Sequence, residues 1–257
     1  MDEVKQKFRS LENAFSRFIK DFGGEVLDEI NPLDPKKPKN ADYIFREQNV
    51  VAELKRLDKD YYQTNADVER LMRQVEKRIV SGYITESELS QYLSKKREPE
   101  KITDVILSGV RSTVKGKIRS AEKQIRKIKE DFKMPDAKGL LLLANDKSYF
   151  TQLTPLIYIH VTEKLLSERP DTPIDGFVYF VTNKNYELQT EKENGIIWIN
   201  NYLRKGQEEF AGFIDTLGIN WAEFVCRNTG GTIERINHFD EEAIGEKLEF
   251  LKVISPN

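Results

Sequence analysis

Residues 3–22 place Val4, Phe8, Leu11, Phe15, Phe18 and Phe22 at helical spacing, and Gly23-Gly24 follows as a stop. The pattern predicts an amphipathic helix. "EVLDEI" (25–30) reads as a short strand and "NPLDPKKPKN" as a loop. Residues 39–57, "KNADYIFREQNVVAELKRL", then alternate on a period of two, as a β-hairpin does. Residues 58–109 are polar and helical in period, with a Thr85/Glu88 capping box, and "KITDVILSG" reads as a separate short piece. This stretch has few large apolar residues and is predicted to be a helical insertion. A long helix follows over 110–132, with Val110, Val114, Ile118, Ala121, Ile125, Ile128 and Phe132 in one stripe.

"GLLLLA" (139–144) and "IDGFVYFVT" (174–182) are continuous apolar runs, the pattern of strands covered on both faces. Thr154-Pro155 opens a helix between them. "GIIWIN" suits an edge strand, "GQEEFAGFIDTLG" and the residues after it a helix, and "GTIERINHF" a late strand. Strands and helices alternate after the hairpin, which predicts an α/β fold with a mixed sheet. The expected organisation is one domain over 1–257, with the insertion at 58–109 and a C-terminal extension at 183–257.

The hairpin carries an anomaly that periodicity alone does not explain. Asp42, Glu53 and Lys55 stand at its alternating positions, although burying a charge is costly unless it is paired or bound to metal. A turn at "REQN" (46–49) pairs residues whose numbers sum to 95, so Asp42 lies opposite Glu53. Directly opposed Cβ atoms are roughly 4.5–5.5 Å apart. Glu53 and Lys55 share a face, with Ile44 and Val51, while Tyr43, Phe45, Val50, Ala52 and Leu54 take the other. Two carboxylates that close repel unless one is protonated or a cation lies between them. A hard divalent ion with oxygen ligands suits the pair, and a lysine beside it can orient water and stabilise phosphate charge.

"NAD", ten residues and "ELK" resemble the PD-(D/E)xK nuclease superfamily, which has the restriction-endonuclease-like fold. The order of helix, strand, hairpin, helix and strand also matches that core over roughly 3–57 and 110–182. Ala41 departs from the motif's Pro. The resemblance implies Mg²⁺ or Mn²⁺ held by Asp42, Glu53 and the backbone carbonyl of Leu54, with Lys55 as the catalytic lysine. It also implies a helix-1 acid, for which Glu12 at the edge of the apolar face is the candidate. Lys117 and Gln124, seven residues apart on one edge of the long helix, are the candidates for a further polar group turned toward the site. Ordinary solvated residues explain Glu12, Lys117 and Gln124 equally well.

Charge adds a partner. The chain has a formal net charge of −2, yet residues 111–133 hold nine basic and three acidic side chains. That local excess predicts a polyanion track, with Lys115, Lys117, Arg119 and Lys123 as nucleic-acid contacts. The alternative is a solvated helix face. One cysteine, Cys226, rules out an internal disulfide and points to a reducing cytoplasm, and no apolar run reaches membrane-spanning length.

Together these readings predict a Mg²⁺-dependent nuclease acting on DNA in preference to RNA. The rival is a non-catalytic subunit of the same fold that binds nucleic acid or a partner protein, as in a bacterial defence or toxin system. Cutting both strands of a duplex would favour a homodimer.

Overall fold

The computed structural model describes residues 11–30, 41–57, 100–145, 155–181, 197–203 and 206–229, with residues 73, 76–85, 87 and 90. The chain divides into two compact units. The first comprises Met1–Asp58, Lys115–Ser148 and Thr162–Glu234; the second comprises Lys59–Val114, Tyr149–Val161 and Arg235–Asn257.

The elements in chain order are α1 (Leu11–Asp21), β1 (Glu25–Val26), α2 (Leu27–Ile30), β2 (Tyr43–Phe45), β3 (Val50–Arg56), α3 (Glu100–Asp131), β4 (Lys138–Asn145), α4 (Pro155–Ser167), β5 (Gly176–Val181), β6 (Ile197–Tyr202) and α5 (Glu208–Thr229). Among the described residues six strands form one mixed sheet in the order β1-β2-β3-β4-β5-β6. β2 runs antiparallel to β1 and β3, β4 runs parallel to β3 and β5, and β6 returns antiparallel to β5. The protein is therefore α/β, with an open mixed sheet.

The hairpin register is the one alternation demands. Tyr43 pairs with Ala52, Ile44 with Val51 and Phe45 with Val50. The turn closes with the Asn49 amide donating to Arg46 O at 3.1 Å. Asn49 takes φ 51°, a left-handed conformation that Asn tolerates better than most residues.

Period-two alternation then sorts the sheet into two faces. Tyr43, Phe45, Ala52, Leu54, Leu140, Leu142, Ala144, Val178 and Phe180 join one core with α1 and α5. Phe15 centres it, with ring centroids 5.7 Å from Tyr43, 5.3 Å from Phe180 and 4.9 Å from Trp221. Burial on this scale is the main driving term for the fold. The opposite face carries Val51, Glu53, Leu141, Leu143 and Phe177, all fully or almost fully buried. Here α3 contributes buried Ile118, Ala121, Ile125 and Ile128. Gly139 is required by the segment before β5, because a Cβ there would come within 2.0 Å of Pro173 O; Ile125 Cγ2 of α3 would be 3.2 Å away.

Two expectations need correction. Residues 25–30 are not one strand. Only Glu25 and Val26 pair, with Ile44 and Tyr43, because β2 is three residues long. Leu27 N then donates to Asp42 O at 2.9 Å, and the chain turns into α2 with Asp28 and Glu29 in its first turn. Nor does "KITDVILSG" form a separate piece. It belongs to α3, which starts at Glu100 and passes through Gly109 and Gly116 without a break. Gly lowers helix propensity by roughly 1 kcal/mol, a cost that 32 residues of helix absorb.

The hairpin, the strands at 139–144 and 174–182, and the edge strand near 195–200 appear where periodicity puts them, the last as Ile197–Tyr202. The C-terminal helix extends to Thr229. Val4 and Phe8, most of the residues after the expected Thr85 cap up to 99, and the strand expected in "GTIERINHF" lie outside the described residues. In the second unit, residues 76–80 are helical and end at Gly82, whose φ is 71°. There Arg78 lies over the Tyr83 ring, 5.0 Å from its centroid. Among the described residues, no helix is long and apolar enough to cross a membrane.

Candidate active site

β3 delivers two candidate side chains to the α3 face because Glu53 and Lys55 are two residues apart. Glu53 is 1% exposed, an unusual place for a carboxylate. Its Oε1 accepts from Lys55 Nζ, and its Oε2 is buried without a hydrogen-bond partner. Asp42 ends the chain segment just before β2. Its backbone carbonyl accepts from Leu27 N, and its Oδ2 accepts from Leu54 N at 2.8 Å. The Leu54 amide thus ties the Asp42 carboxyl to the strand that carries Glu53.

Lys55 has a second partner from far along the chain. Its Nζ donates to Gln124 Oε1 at 2.6 Å. Gln124 is itself buried, at the edge of the α3 stripe, and the same oxygen accepts from Ser120 Oγ at 2.9 Å. An ammonium has three donors. Two of Lys55's are spent on Glu53 and Gln124.

The electrostatics follow from this crowding. Burial pushes the Asp42 carboxyl up to about 6, opposed by the Leu54 amide and by Lys55, while Asp28 and Glu12 add smaller repulsion. Burial and then the Asp42 charge push Glu53 up to about 8, although Lys55 pulls the other way. Without a cation, the two carboxylates do not readily ionise together near neutral pH.

The donor set fits a hard divalent cation. Glu53 Oε2 is a buried acceptor without a full hydrogen bond, although the Asp42 backbone amide is near enough to favour the ionised carboxyl slightly, and Asp42 supplies a second carboxyl group nearby. Mg²⁺ is typically held by one or two carboxylates and keeps several waters. Among the described residues no group of three or more His, Cys, Asp or Glu side chains forms a cage for a metal.

Asp42, Glu53, Lys55 and Gln124 are thus brought together. Glu12 is not joined to them: its exposed carboxylate pairs with Arg56 Nη1 at 3.7 Å, and α1 packs on the opposite face of the sheet. Only its weak repulsion reaches Asp42. Lys117 is half-buried two turns before Gln124 on the same helix edge. Ser120, absent from the sequence-based candidates, joins through Gln124. Its spacing of four from Gln124 was the available signal, since such residues are neighbours on a helix surface.

The basic stripe separates into two groups. Arg126 donates to Asp171 O at 3.3 Å, Lys129 to Pro173 O at 3.2 Å, and Lys127 pairs with Asp131 at 3.9 Å. Lys129 also lies 3.7 Å from the buried Asp175 carboxylate. These bind α3 to itself and to the segment before β5. Lys115, Arg119 and Lys123 are exposed. On the helical wheel, 100° per residue, Ser120 and then Lys123 and Arg119 follow Gln124 in order round the helix, away from the apolar stripe. The outward charge thus starts at the Gln124 edge.

No protein-family profile, curated protein or solved structure matches this chain.

Proposed function

We propose that the protein is a divalent-metal-dependent nuclease, with DNA the favoured substrate, and that its sheet is a restriction-endonuclease-like core. The observation that carries this reading is the convergence of buried Glu53 and Gln124 with half-buried Asp42 and Lys55, with Glu53 Oε2 lacking a full hydrogen bond. A structural ion pair needs one acid and one base. A second, half-buried carboxyl beside the buried one costs stability unless one of the two is protonated or a cation lies between them, and a bound metal would supply that cation.

Asp42 and Glu53 would hold Mg²⁺ or Mn²⁺, and the Leu54 carbonyl is the further ligand that the family resemblance suggests. Such an ion supplies Lewis-acid stabilisation of phosphate charge and a water of lowered pKa. Lys55 has its ammonium fixed by Glu53 and Gln124, and its remaining N–H serves a water or a phosphate oxygen. The Leu54 amide keeps the Asp42 carboxyl from swinging away. Lys115, Arg119 and Lys123 extend from the Gln124 edge as a phosphate-binding track.

The decisive experiment incubates the purified protein with plasmid, single-stranded DNA and RNA, each with Mg²⁺, Mn²⁺ or EDTA. Cleavage with metal and none in EDTA is expected. Absence of cleavage on all three substrates with either metal sinks the reading, as does full activity in EDTA.

A further inference from the structure

Ser120 takes no part in the metal chemistry, yet its hydroxyl is 2.9 Å from the oxygen that receives Lys55. Three groups meet at that oxygen and its neighbour. Lys55 Nζ donates to Gln124 Oε1 at 2.6 Å and to Glu53 Oε1, while Ser120 Oγ reaches Gln124 Oε1 from the next turn of α3.

A glutamine amide can rotate by half a turn at little steric cost, exchanging its oxygen for its NH₂. With the NH₂ toward Lys55, two donors would face each other and the ammonium would lose a partner. Lys55, which can only donate, selects the oxygen; the Ser120 hydroxyl donates to the same oxygen and adds a second hydrogen bond that holds the amide in that place. The pair is local to one helix and rigid, at spacing four, so it is in place without any change in the sheet. Lys55 in turn is anchored from both sides: by a carboxylate on its own strand and by a neutral amide oxygen from the helix above.

We infer that Ser120 is a positioning residue: its hydroxyl fixes the Gln124 amide with its oxygen toward Lys55, and so sets the direction of the Lys55 ammonium. This rests on the nuclease reading for its consequence in catalysis, but the clamp itself is a property of the folded chain. Ser120 is exposed on α3, so its replacement by Ala removes the hydroxyl without opening a core cavity.

The first measurement is independent of turnover. In the ¹⁵N-labelled, metal-free full chain, the Lys55 ammonium should give a protected NH₃⁺ signal, assigned by its loss in Lys55→Met. Ser120→Ala should speed its exchange with water about three- to tenfold, the scale of one neutral hydrogen bond. Ser120→Thr, which keeps the hydroxyl, should restore protection. The second measurement is kinetic: Ser120→Ala should lower kcat by a similar factor with KM unmoved, and Ser120→Thr should recover it. A wild-type Lys55 ammonium that exchanges as fast as a surface lysine overturns the inference. So does a Ser120→Ala ammonium that is as protected as wild type, or an unchanged kcat in an active enzyme. If the wild type cleaves nothing, the nuclease reading falls, while the ammonium measurement still decides the clamp.

Discussion

Lys55 on β3 and Gln124 on α3 are 69 residues apart in sequence and 2.6 Å apart in space, Nζ to Oε1. This bond joins the strand carrying the candidate lysine to the helix carrying the basic track. Replacing Lys55 with Ala should abolish cleavage, by at least about 10²-fold, since a positioned proton-transfer or charge-stabilising group contributes on that scale. Gln124→Leu should cost less, as Lys55 keeps Glu53. Single-turnover rates on plasmid, with thermal melts to verify folding, check both.

Glu53 and Asp42 make stability depend on pH in an uncommon direction. Both carboxyls sit above their unfolded values, at about 8 and about 6. The folded state therefore binds more protons than the unfolded state, and stability falls as pH rises. The stabilisation is complete below roughly pH 4, the unfolded carboxylate range, and is lost through about 6 and then about 8. Melting temperature of the metal-free protein should drop across this window. Glu53→Gln should flatten the upper part and raise the melting temperature at pH 8. A flat profile for the wild type would contradict the buried pair.

Metal binding should consume the same protons. At pH 7 Glu53 is mostly protonated and Asp42 mostly ionised, so binding Mg²⁺ or Mn²⁺ should release about one proton. Calorimetry in two buffers of different ionisation enthalpy measures that number. The Asp42→Ala/Glu53→Ala double variant should show no binding heat.

Lys115, Arg119 and Lys123 are exposed members of the basic stripe on the side of α3 that leads away from Gln124. Converting all three to Gln should weaken binding of every nucleic-acid sequence alike. The slope of log affinity against log salt should become shallower by roughly 0.9 for each duplex-DNA phosphate that is no longer neutralised. Unaltered affinity and slope would make this face a solvated or protein-docking surface.

Arg169 and Glu122 offer the contrasting case. Their side chains form a two-pronged pair at 2.7 and 2.5 Å, with Glu122 buried and Arg169 about a third exposed. Arg169→Ala leaves a buried carboxylate uncompensated and should destabilise the fold by about 1–3 kcal/mol, below the loss for a fully buried pair. Denaturant melts measure it. The salt slope for nucleic acid should not move.

The hairpin was legible in the sequence because alternation fixes which face each residue takes, and a turn at 46–49 fixes the register. Once Tyr43 opposes Ala52, Glu53 and Lys55 must share a face with Ile44 and Val51. The helix at 27–30 was not legible, since two rungs of β1 end for want of partner length in β2, a fact of tertiary pairing. The start of α3 was hidden by Gly109, which reads as a stop in isolation. Gln124 could be placed on the correct helix edge, but its choice of Lys55 over water depends on how α3 sits above β3. The same holds for Arg126 and Lys129, whose partners in the residues before β5 no pattern along α3 could reveal.

The parallel pairing of β3 with β4 has a kinetic meaning as well. The hairpin closes over a handful of residues, whereas Val50 meets Lys138 and Glu53 meets Leu141 only after the intervening chain has been looped back. Closing so long a loop costs entropy before any pairing rewards it, and such topologies fold slowly. During synthesis Asp42, Glu53 and Lys55 therefore leave the ribosome and can pair well before Gln124 exists. The lysine can acquire its second anchor, Gln124, only once α3 has been made and packed over β3, so that bond belongs to the non-local part of the fold rather than to the local hairpin.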